Sequence, residues 1–324
     1  MKIKFNSKAT QTILAFASLI FLIVIFSILS PDFATYSNMN TILLATAVNG
    51  ILAVGITFII ITGGIDLSIG TVMTFCSIIC ALFITKLHFP VFLGLIAAVA
   101  AGALCGFING TFIAKLKLPP FIATLGMMNI TRGLNLIISG TKPVYLTEVE
   151  GFSNIAIKMV LGIPMGVLIF FITAIIAAFI LSKTIVGRYT FAIGSNEEAA
   201  RLSGINTDSW KIGIYSMSGF FFGIAGIVMA SRLSSAQPAL GPGYEMDAIA
   251  AAVIGGASLA GGEGGILGTI IGAFIITVLT NGLRILSVPQ EWQMVVTGLI
   301  VVGAVYMDII RRRNELPRPE GRGI

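Results

Sequence analysis

Residues 42–62 have the sequence ILLATAVNGILAVGITFIIIT and decide the class of fold. The run contains no charged side chain, and as a helix it is long enough to cross the ~30 Å hydrocarbon core of a membrane. Similar runs recur along a chain that is 56% hydrophobic and 10% charged, with a mean hydropathy of +0.99. An ordinary soluble domain carries about 25% charged residues. The sequence therefore predicts an all-α polytopic membrane protein.

The apolar runs predict about ten transmembrane helices in a single transmembrane domain that covers residues 1–324. We expect these spans near residues 13–29, 42–62, 67–85, 91–114, 121–139, 160–181, 212–230, 248–260, 266–283 and 292–307. The eighth run is short for a crossing and ends in glycines, which favours a broken or re-entrant segment. The basic residues before the first run are also typical of a signal peptide. That run is long for a signal peptide and no small-x-small cleavage site follows it, so we expect a span.

Basic residues indicate the orientation, because they are retained on the cytoplasmic side. With a cytoplasmic N-terminus, most of them fall in inner loops and tails: Lys2, Lys4, Lys8, Lys115, Lys117, Lys183, Arg188, Arg201, Lys211, Arg311, Arg312, Arg313, Arg318 and Arg322. The outer loops and their edges hold Lys86, Lys142, Lys158, Arg232 and Arg284. An even number of spans puts both termini in the cytoplasm. This pattern and contacts with anionic lipid headgroups account for the net charge of +6, so we expect no nucleic-acid partner.

A polar segment, Ser195-Asn196-Glu197-Glu198-Ala199-Ala200-Arg201-Leu202-Ser203-Gly204, interrupts the apolar pattern between the sixth and seventh spans. Ser195 and Glu198 have the spacing of a capping box. Glu197 and Arg201 stand at i,i+4, where they can pair, and Gly204 supplies the left-handed residue that ends many helices. A two-turn helix is marginal by itself. We therefore expect a short cytoplasmic helix on which a partner docks.

Several function classes lack the residues they need. Cys76, Cys80 and Cys105 fall within predicted spans and are expected to be packing residues, and His88 is the only histidine. We therefore predict no metal site, no cofactor and no catalytic site. No Gly-x-x-x-x-Gly-Lys-Ser/Thr occurs either, so energy must come from a separate ATPase or directly from an ion gradient.

Polar residues in or beside the spans are candidates for a translocation path: Asn49, Asp66, Ser68, Asn109, Asn129 and Arg132. Each also has a structural interpretation, since polar groups in spans often bond to a neighbouring helix. Arg132 is the one ionisable residue placed well inside a span. We expect it to face the protein interior or a water-filled cavity, or to snorkel to the outer interface. An ion-coupled carrier would need acidic groups at mid-depth, whereas Asp66, Glu245 and Asp247 lie near span ends.

Glycines form two patterns. The spacing of four in Gly102, Gly106 and Gly110, and again in Gly264, Gly268 and Gly272, predicts close helix packing. The denser cluster in residues 255–265 favours an unwound turn that lines a cavity or contacts a partner. Asn109-Gly110 precedes Gly126 by the spacing at which Asn281-Gly282 precedes Gly298, which suggests an inverted internal repeat. A second match points the other way: Gly63-Gly64-x-x-Leu67-x-x-Gly70 resembles Gly255-Gly256-x-x-Leu259-x-x-Gly262, and both fall on the inner side.

Glu198-Ala199-Ala200-x-x-x-Gly204 resembles the E-A-A-x-x-x-G loop by which permease subunits of ABC importers seat in their ATPase. Ile214 stands where that pattern has Ile, but Ser216-Met217 stand where it has Leu-Pro. Longer blocks are more specific. GGIDLSIG at 63–70, RLSGIN at 201–206, RLSSAQP at 232–238 and GYEMDAIAAAVIGGASLAGGEGG at 243–265 resemble the ribose-type permease subunits of the branched-chain amino acid/ribose permease family.

The resemblance implies a homodimeric permease subunit in the bacterial inner membrane that moves ribose or a related monosaccharide by alternating access and is not itself an enzyme. It implies a separate ABC ATPase, contacted through Ser195, Glu197, Glu198, Ala199, Ala200, Arg201 and Gly204. It also implies an extracytoplasmic sugar-binding protein. The candidate contacts for that protein are Arg232, Gln237, Tyr244, Glu245 and Asp247.

Overall fold

The computed structural model describes residues 8–315, about three quarters of which are helical. The helices are α1 (Lys8–Leu29), α2 (Tyr36–Ile61), α3 (Ile69–Thr85), α4 (Val91–Ala114), α5 (Pro120–Ser139), α6 (Asn154–Ile157), α7 (Met165–Lys183), α8 (Ile185–Ser195), α9 (Glu197–Leu202), α10 (Thr207–Leu233), α11 (Tyr244–Ile254), α12 (Ile266–Ile285) and α13 (Gln290–Glu315). Two short antiparallel pairs join β1 (Val144–Tyr145) to β4 (Ser235–Ala236) and β2 (Met159–Val160) to β3 (Ile163–Pro164). Lys2, Lys4, Arg318, Arg322 and the side chains of Lys8 and Arg311–Arg313 lie outside what is described.

Within residues 8–315, eight helices are long and apolar enough to cross a membrane, and α3 is a shorter apolar helix. The chain is thus an all-α polytopic membrane protein, as the apolar runs predict. In the region of the eighth predicted span, which the sequence leaves open as a full crossing or a broken segment, α11 has 11 residues where a crossing needs about 20. An irregular loop, residues 255–265, replaces the rest of that span, which favours the broken-segment alternative. The inverted repeat and the boundaries of the single domain stay predictions.

Two hydrogen bonds mark the ends of the bundle. At one, which we call the α9 end, the amide of Gly262 donates to the carbonyl of Ile61 at 2.8 Å, so α2 ends where α12 begins. At the other, the opposite end, Asn281 near the end of α12 donates to the side-chain oxygen of Asn38 near the start of α2, at 2.9 Å. The long α10 connects the two ends, since it starts just after α9 and runs antiparallel to α4.

Glycines allow α4 and α10 to pack with their backbones in contact. A Cβ on Gly102 would collide with the carbonyl of Gly219, and one on Gly106 with the carbonyl of Tyr215. A Cβ on Gly110 would lie 2.7 Å from the Cα of Ile212. This confirms close packing for the first glycine series, the arrangement that small residues permit between membrane helices.

The second glycine series divides between a helix and a loop. Gly268 and Gly272 on α12 face the backbone of α11, where an added Cβ would collide with the carbonyls of Gly255 and Ala251 respectively. Gly264 instead precedes α12 and has φ +153°. The predicted packing face therefore holds for two of its three members, because α12 starts only at Ile266.

Candidate functional site

The polar segment forms α9, but its cap differs from the prediction. Ser195 is the last residue of α8, and the cap of α9 is Asn196, whose side-chain oxygen accepts from the amide of Ala199 at 2.9 Å. The capping box between Ser195 and Glu198 is therefore wrong by one residue. Asparagine caps helices as well as serine does, so the local sequence offers two equivalent caps. Gly204 has φ +86°, which confirms the left-handed residue after the helix.

Ion pairs fasten α9 to itself and to α10. The predicted pair between Glu197 and Arg201 is present, with 3.6 Å between carboxylate and guanidinium. Glu197 also accepts a hydrogen bond from the ammonium group of Lys211 at 2.6 Å, a contact that joins α9 to α10. Lys211 was missed because it lies 14 residues further along the chain, beyond any helical periodicity that links it to Glu197.

The face of α9 turned away from the bundle carries a large apolar side chain. Ala200 is 5% exposed and seats the helix on the bundle, whereas Leu202 is 81% exposed. Glu198 lies on the free side too, with a 71% exposed side chain that pairs loosely with Arg201 at 3.8 Å. An exposed leucine beside a carboxylate on a rigid support offers an anchor for another protein.

Just before α9, Gly194 contacts the bundle backbone to backbone. We call the contact between Ile61, Gly194 and Gly261–Gly262 the glycine junction. A Cβ on Gly194 would collide with the carbonyl of Ile61 and lie 2.6 Å from the amide nitrogen of Gly262. A Cβ on Gly261 would lie 2.8 Å from the carbonyl oxygen of Gly194. The glycine cluster of residues 255–265 thus brings the base of α9 into contact with the end of α2.

Three of the predicted path residues form a buried network beside the start of α3. One carboxylate oxygen of Asp66 accepts from the amide and the hydroxyl of Ser68, at 2.7 and 2.6 Å. The side chain of Asn109 on α4 donates to the Ser68 hydroxyl at 3.1 Å and to Asp66 at 3.5 Å. Asp66 is 1% exposed. The structural interpretation fits these three, because their mutual bonds fix the turn that starts α3.

Asn129 and Arg132 lie on the exposed side of α5 instead of facing the interior. The prediction that Arg132 faces the interior or a cavity is therefore wrong for a single chain, while snorkelling along the helix remains open. Asn129 donates to the carbonyl of Leu125 at 3.1 Å on its own helix. Gly126 and Gly133 flank this face, and an added Cβ on either would meet no atom of the described residues within 4 Å.

A cavity of about 540 Å³ lies among α2, α10, α11, α12 and α13, near the opposite end. Four candidates line it: Asn49, Arg232, Tyr244 and Asp247. Two other candidates for contact with the binding protein, Glu245 and Gln237, bond to residues close to them in the chain. Glu245 accepts from the amide of Gly243 at 3.1 Å, and Gln237 donates to the hydroxyl of Ser235 at 3.0 Å. Because α11 begins beside this cavity and is too short to span, it matches the discontinuous helices from which transporters build their binding sites.

The fold and the site define a polytopic membrane transport protein: long apolar helices, a broken helix beside a polar cavity and a capped helix at one end. The permease component of the branched-chain amino acid transport system is the family that matches residues 38–305, and the chain belongs to it.

Curated relatives extend this match over almost the whole chain. The ribose import permease protein of Escherichia coli strain K12 is 44% identical over 90% of this chain and 91% of its own length. That of Haemophilus influenzae strain Rd is 42% identical over 91% and 92%. The fructose import permease protein of Rhizobium meliloti is 36% identical over 87% and 80%. No solved structure matches the chain.

Proposed function

We propose that this chain is the transmembrane permease subunit of a bacterial ABC importer and moves a small sugar, ribose or a related monosaccharide, into the cytoplasm. The sugar is inferred from relatives whose names specify ribose and fructose import. The observation that carries the proposal is α9: a capped helix held by Lys211, with Leu202 81% exposed and free for a partner. That partner is a separate ABC ATPase, which hydrolyses ATP, so this chain is not an enzyme.

The glycine junction supplies a physical route for coupling. When the ATPase moves α9, the adjoining Gly194 presses on the carbonyl of Ile61 and on Gly262, with no flexible side chain between them. The displacement therefore reaches α2 and the loop before α12 directly. Backbone-to-backbone contacts transmit small shifts because close-packed interiors compress little. Alternating access would then follow from the relative movement of these helices.

The exposed polar face of α5 supports a homodimer. Asn129 and Gly126 would face lipid in a single chain, and an amide facing lipid is unfavourable unless another helix covers it. A second copy that packs on this face would bury Asn129 between small residues. Other parts of the proposal follow the family pattern: an extracytoplasmic sugar-binding protein at the opposite end, both termini in the cytoplasm, and lipid around the remaining helices of this inner-membrane protein.

Reconstitution tests the proposal against an ion-coupled carrier. Proteoliposomes that hold the chain with its cognate ATPase and binding protein should take up sugar when ATP is supplied. Those that lack the ATPase should take up none. Uptake by the chain alone, driven by a proton or sodium gradient and indifferent to ATP, would replace the ABC importer with a secondary carrier.

The docking part of the proposal has its own test. Leu202→Asp places a charge where an apolar anchor is expected, so the ATPase should no longer co-purify with the permease. Leu233→Asp is the matched control, because Leu233 is also exposed, at 42%, but lies at the opposite end of α10. Equal recovery of the ATPase with both variants would contradict docking at α9.

A further inference from the structure

The cavity at the opposite end extends from the mouth of the bundle to the middle of a transmembrane helix. Gln290 and Gln293 line it at the start of α13, and Asn49 lines it halfway along α2. Its volume of about 540 Å³ lies within the ~300–1,000 Å³ typical of small-molecule sites. A monosaccharide therefore fits with room for water.

Two residues that line this cavity each carry a buried polar atom with no hydrogen-bond partner among the described residues. These atoms are the side-chain oxygen of Asn49, a residue 8% exposed, and the hydroxyl oxygen of Thr277, a residue 2% exposed. Leaving such a group unpaired costs about 1–3 kcal/mol, so a stable fold normally avoids it. Two in one cavity are expected where a ligand or water completes the bonding.

The remaining polar lining suits a ligand rich in hydroxyl groups. Arg232 and Arg284 offer several donors each, and the carboxylate of Asp247 accepts, so neighbouring hydroxyls of one sugar ring can each find a partner. The lining contains both signs of charge together with neutral amides. A neutral polyol is favoured over an anion or a cation, because a charged ligand of either sign would lie near a lining side chain of the same sign.

We propose that this cavity is a transient sugar site, in which Asn49 accepts a hydrogen bond from one sugar hydroxyl and Thr277 bonds to another. The inference rests on the proposed function and deepens it, because it assigns side chains that hold the sugar between its delivery and its release. Thr277 is a specificity-determining residue under this proposal. Arg232 and Asp247 are then sugar contacts rather than contacts for the binding protein.

The chain provides a closely matched pair of variants. Thr277→Val removes a buried, unpartnered hydroxyl that lines the cavity. Thr46→Val removes a buried, unpartnered hydroxyl on α2 that does not line it. Uptake of ribose by the complete transporter should fall about tenfold with Thr277→Val, the effect of one lost hydrogen bond to a substrate, and stay within about twofold with Thr46→Val. Equal uptake by the two variants would overturn the proposal.

Thiol labelling checks occupancy without depending on transport. Cys76, Cys80 and Cys105 are buried, so the wild-type chain should resist a hydrophilic methanethiosulfonate reagent and serve as the control. Thr280→Cys places a thiol in the cavity wall and should be labelled. A high concentration of ribose should slow that labelling several-fold, while mannitol at equal osmolarity should not. Labelling that ribose leaves unchanged would mean a cavity filled by water alone and would overturn the proposal.

Different results would contradict the proposed function and the proposed sugar site. If the complete wild-type transporter takes up no ribose, fructose or other monosaccharide, the proposed function fails and the cavity loses its assigned ligand. If the wild type transports sugar but Thr277→Val behaves like Thr46→Val, the permease function stands and the cavity is not the sugar site.

Discussion

Among the described residues, the polar groups named at the α9 end are paired, whereas two in the cavity near the opposite end are not. At the α9 end, Glu197, Arg201 and Lys211 are paired with one another, and the cap of Asn196 is satisfied by an amide. In the cavity near the opposite end, Asn49 and Thr277 keep buried oxygens without partners in the described chain. The first arrangement fixes one geometry, whereas the second leaves bonding capacity for something that arrives and departs.

This difference separates a mechanical role from a binding role. A region that transmits movement needs paired polar groups and close backbone contacts, because loosely packed side chains would rearrange instead of passing the displacement on. A region that must release its ligand cannot hold it by many strong bonds. Variants at the two ends should therefore change different measurements.

The largest effect is expected at the glycine junction. Gly194→Ala adds one methyl group where its carbon would overlap the carbonyl of Ile61, so α8 or α2 must shift. Overpacking of this kind costs about 1–3 kcal/mol, and ATP-driven uptake should fall by up to about a hundredfold while membrane protein level is retained. Gly213→Ala is the control, since a Cβ there meets nothing within 4 Å in the described part of the chain. Normal uptake by Gly194→Ala would show that the junction does not transmit movement.

The second effect concerns the end of α9. Gly204→Val forces a β-branched residue into φ +86°, a conformation that costs such residues about 1–3 kcal/mol. Membrane insertion should be unchanged, but co-purification of the ATPase should fall about tenfold because α9 frays. Gly204→Asn should restore most of it, since asparagine tolerates the left-handed region. Undiminished co-purification with the valine variant would count against docking at this helix.

The third effect tests the clamp between α9 and α10. Glu197→Gln removes the charge that pairs with Lys211 and Arg201, and for a partly exposed pair the loss is about 0.5–1 kcal/mol. Amide hydrogen exchange in residues 198–202 should accelerate two- to fivefold, as follows from that loss. Glu198→Gln should not change the exchange rate, because its 3.8 Å contact with Arg201 is largely exposed. Similar exchange in both variants would show that the clamp contributes no stability.

The smallest effect is expected at the exposed face of α5, which we propose as the dimer interface. Asn129→Leu removes the amide from the exposed face of α5, and interhelical hydrogen bonds in membranes contribute about 0.6 kcal/mol on average. The dimer dissociation constant in bilayers, measured by fluorescence energy transfer, should rise about threefold. Ile130→Leu, one position along the same face, is the control. A dimer that is indifferent to Asn129→Leu would place the interface elsewhere.

Features coded by neighbouring residues could be predicted from the sequence. The apolar runs locate the long helices because membrane spans depend on composition over about 20 residues. The pair between Glu197 and Arg201 and the left-handed Gly204 also follow from local spacing. The cap was misplaced by one residue because Ser195 and Asn196 are both good caps. Because α8 extends to Ser195, Asn196 rather than Ser195 caps α9.

Features that depend on distant residues could not be predicted. Thr277 and Gln293 are isolated polar residues in the apolar helices α12 and α13, and nothing in the local pattern brings them to the same cavity as Asn49. The glycine cluster predicted an unwound segment but not its contact with Gly194, which lies more than 60 residues away in the chain. Asp66, Ser68 and Asn109 remain predicted path residues, and only the tertiary structure shows that their side chains bond to one another.

The missing Leu-Pro pair after Ile214 has a consequence for the stiffness of α10. Proline inside a helix removes a hydrogen bond and bends the rod. With Ser216-Met217 in that position, α10 continues unbroken for 27 residues, from Thr207 to Leu233, a length of roughly 40 Å. Near the start of α10, Lys211 pairs with α9. In the last turn of α10, Arg232 lines the cavity. Because no proline interrupts its hydrogen bonds, α10 can carry a tilt from the α9 end to the cavity as one continuous helix.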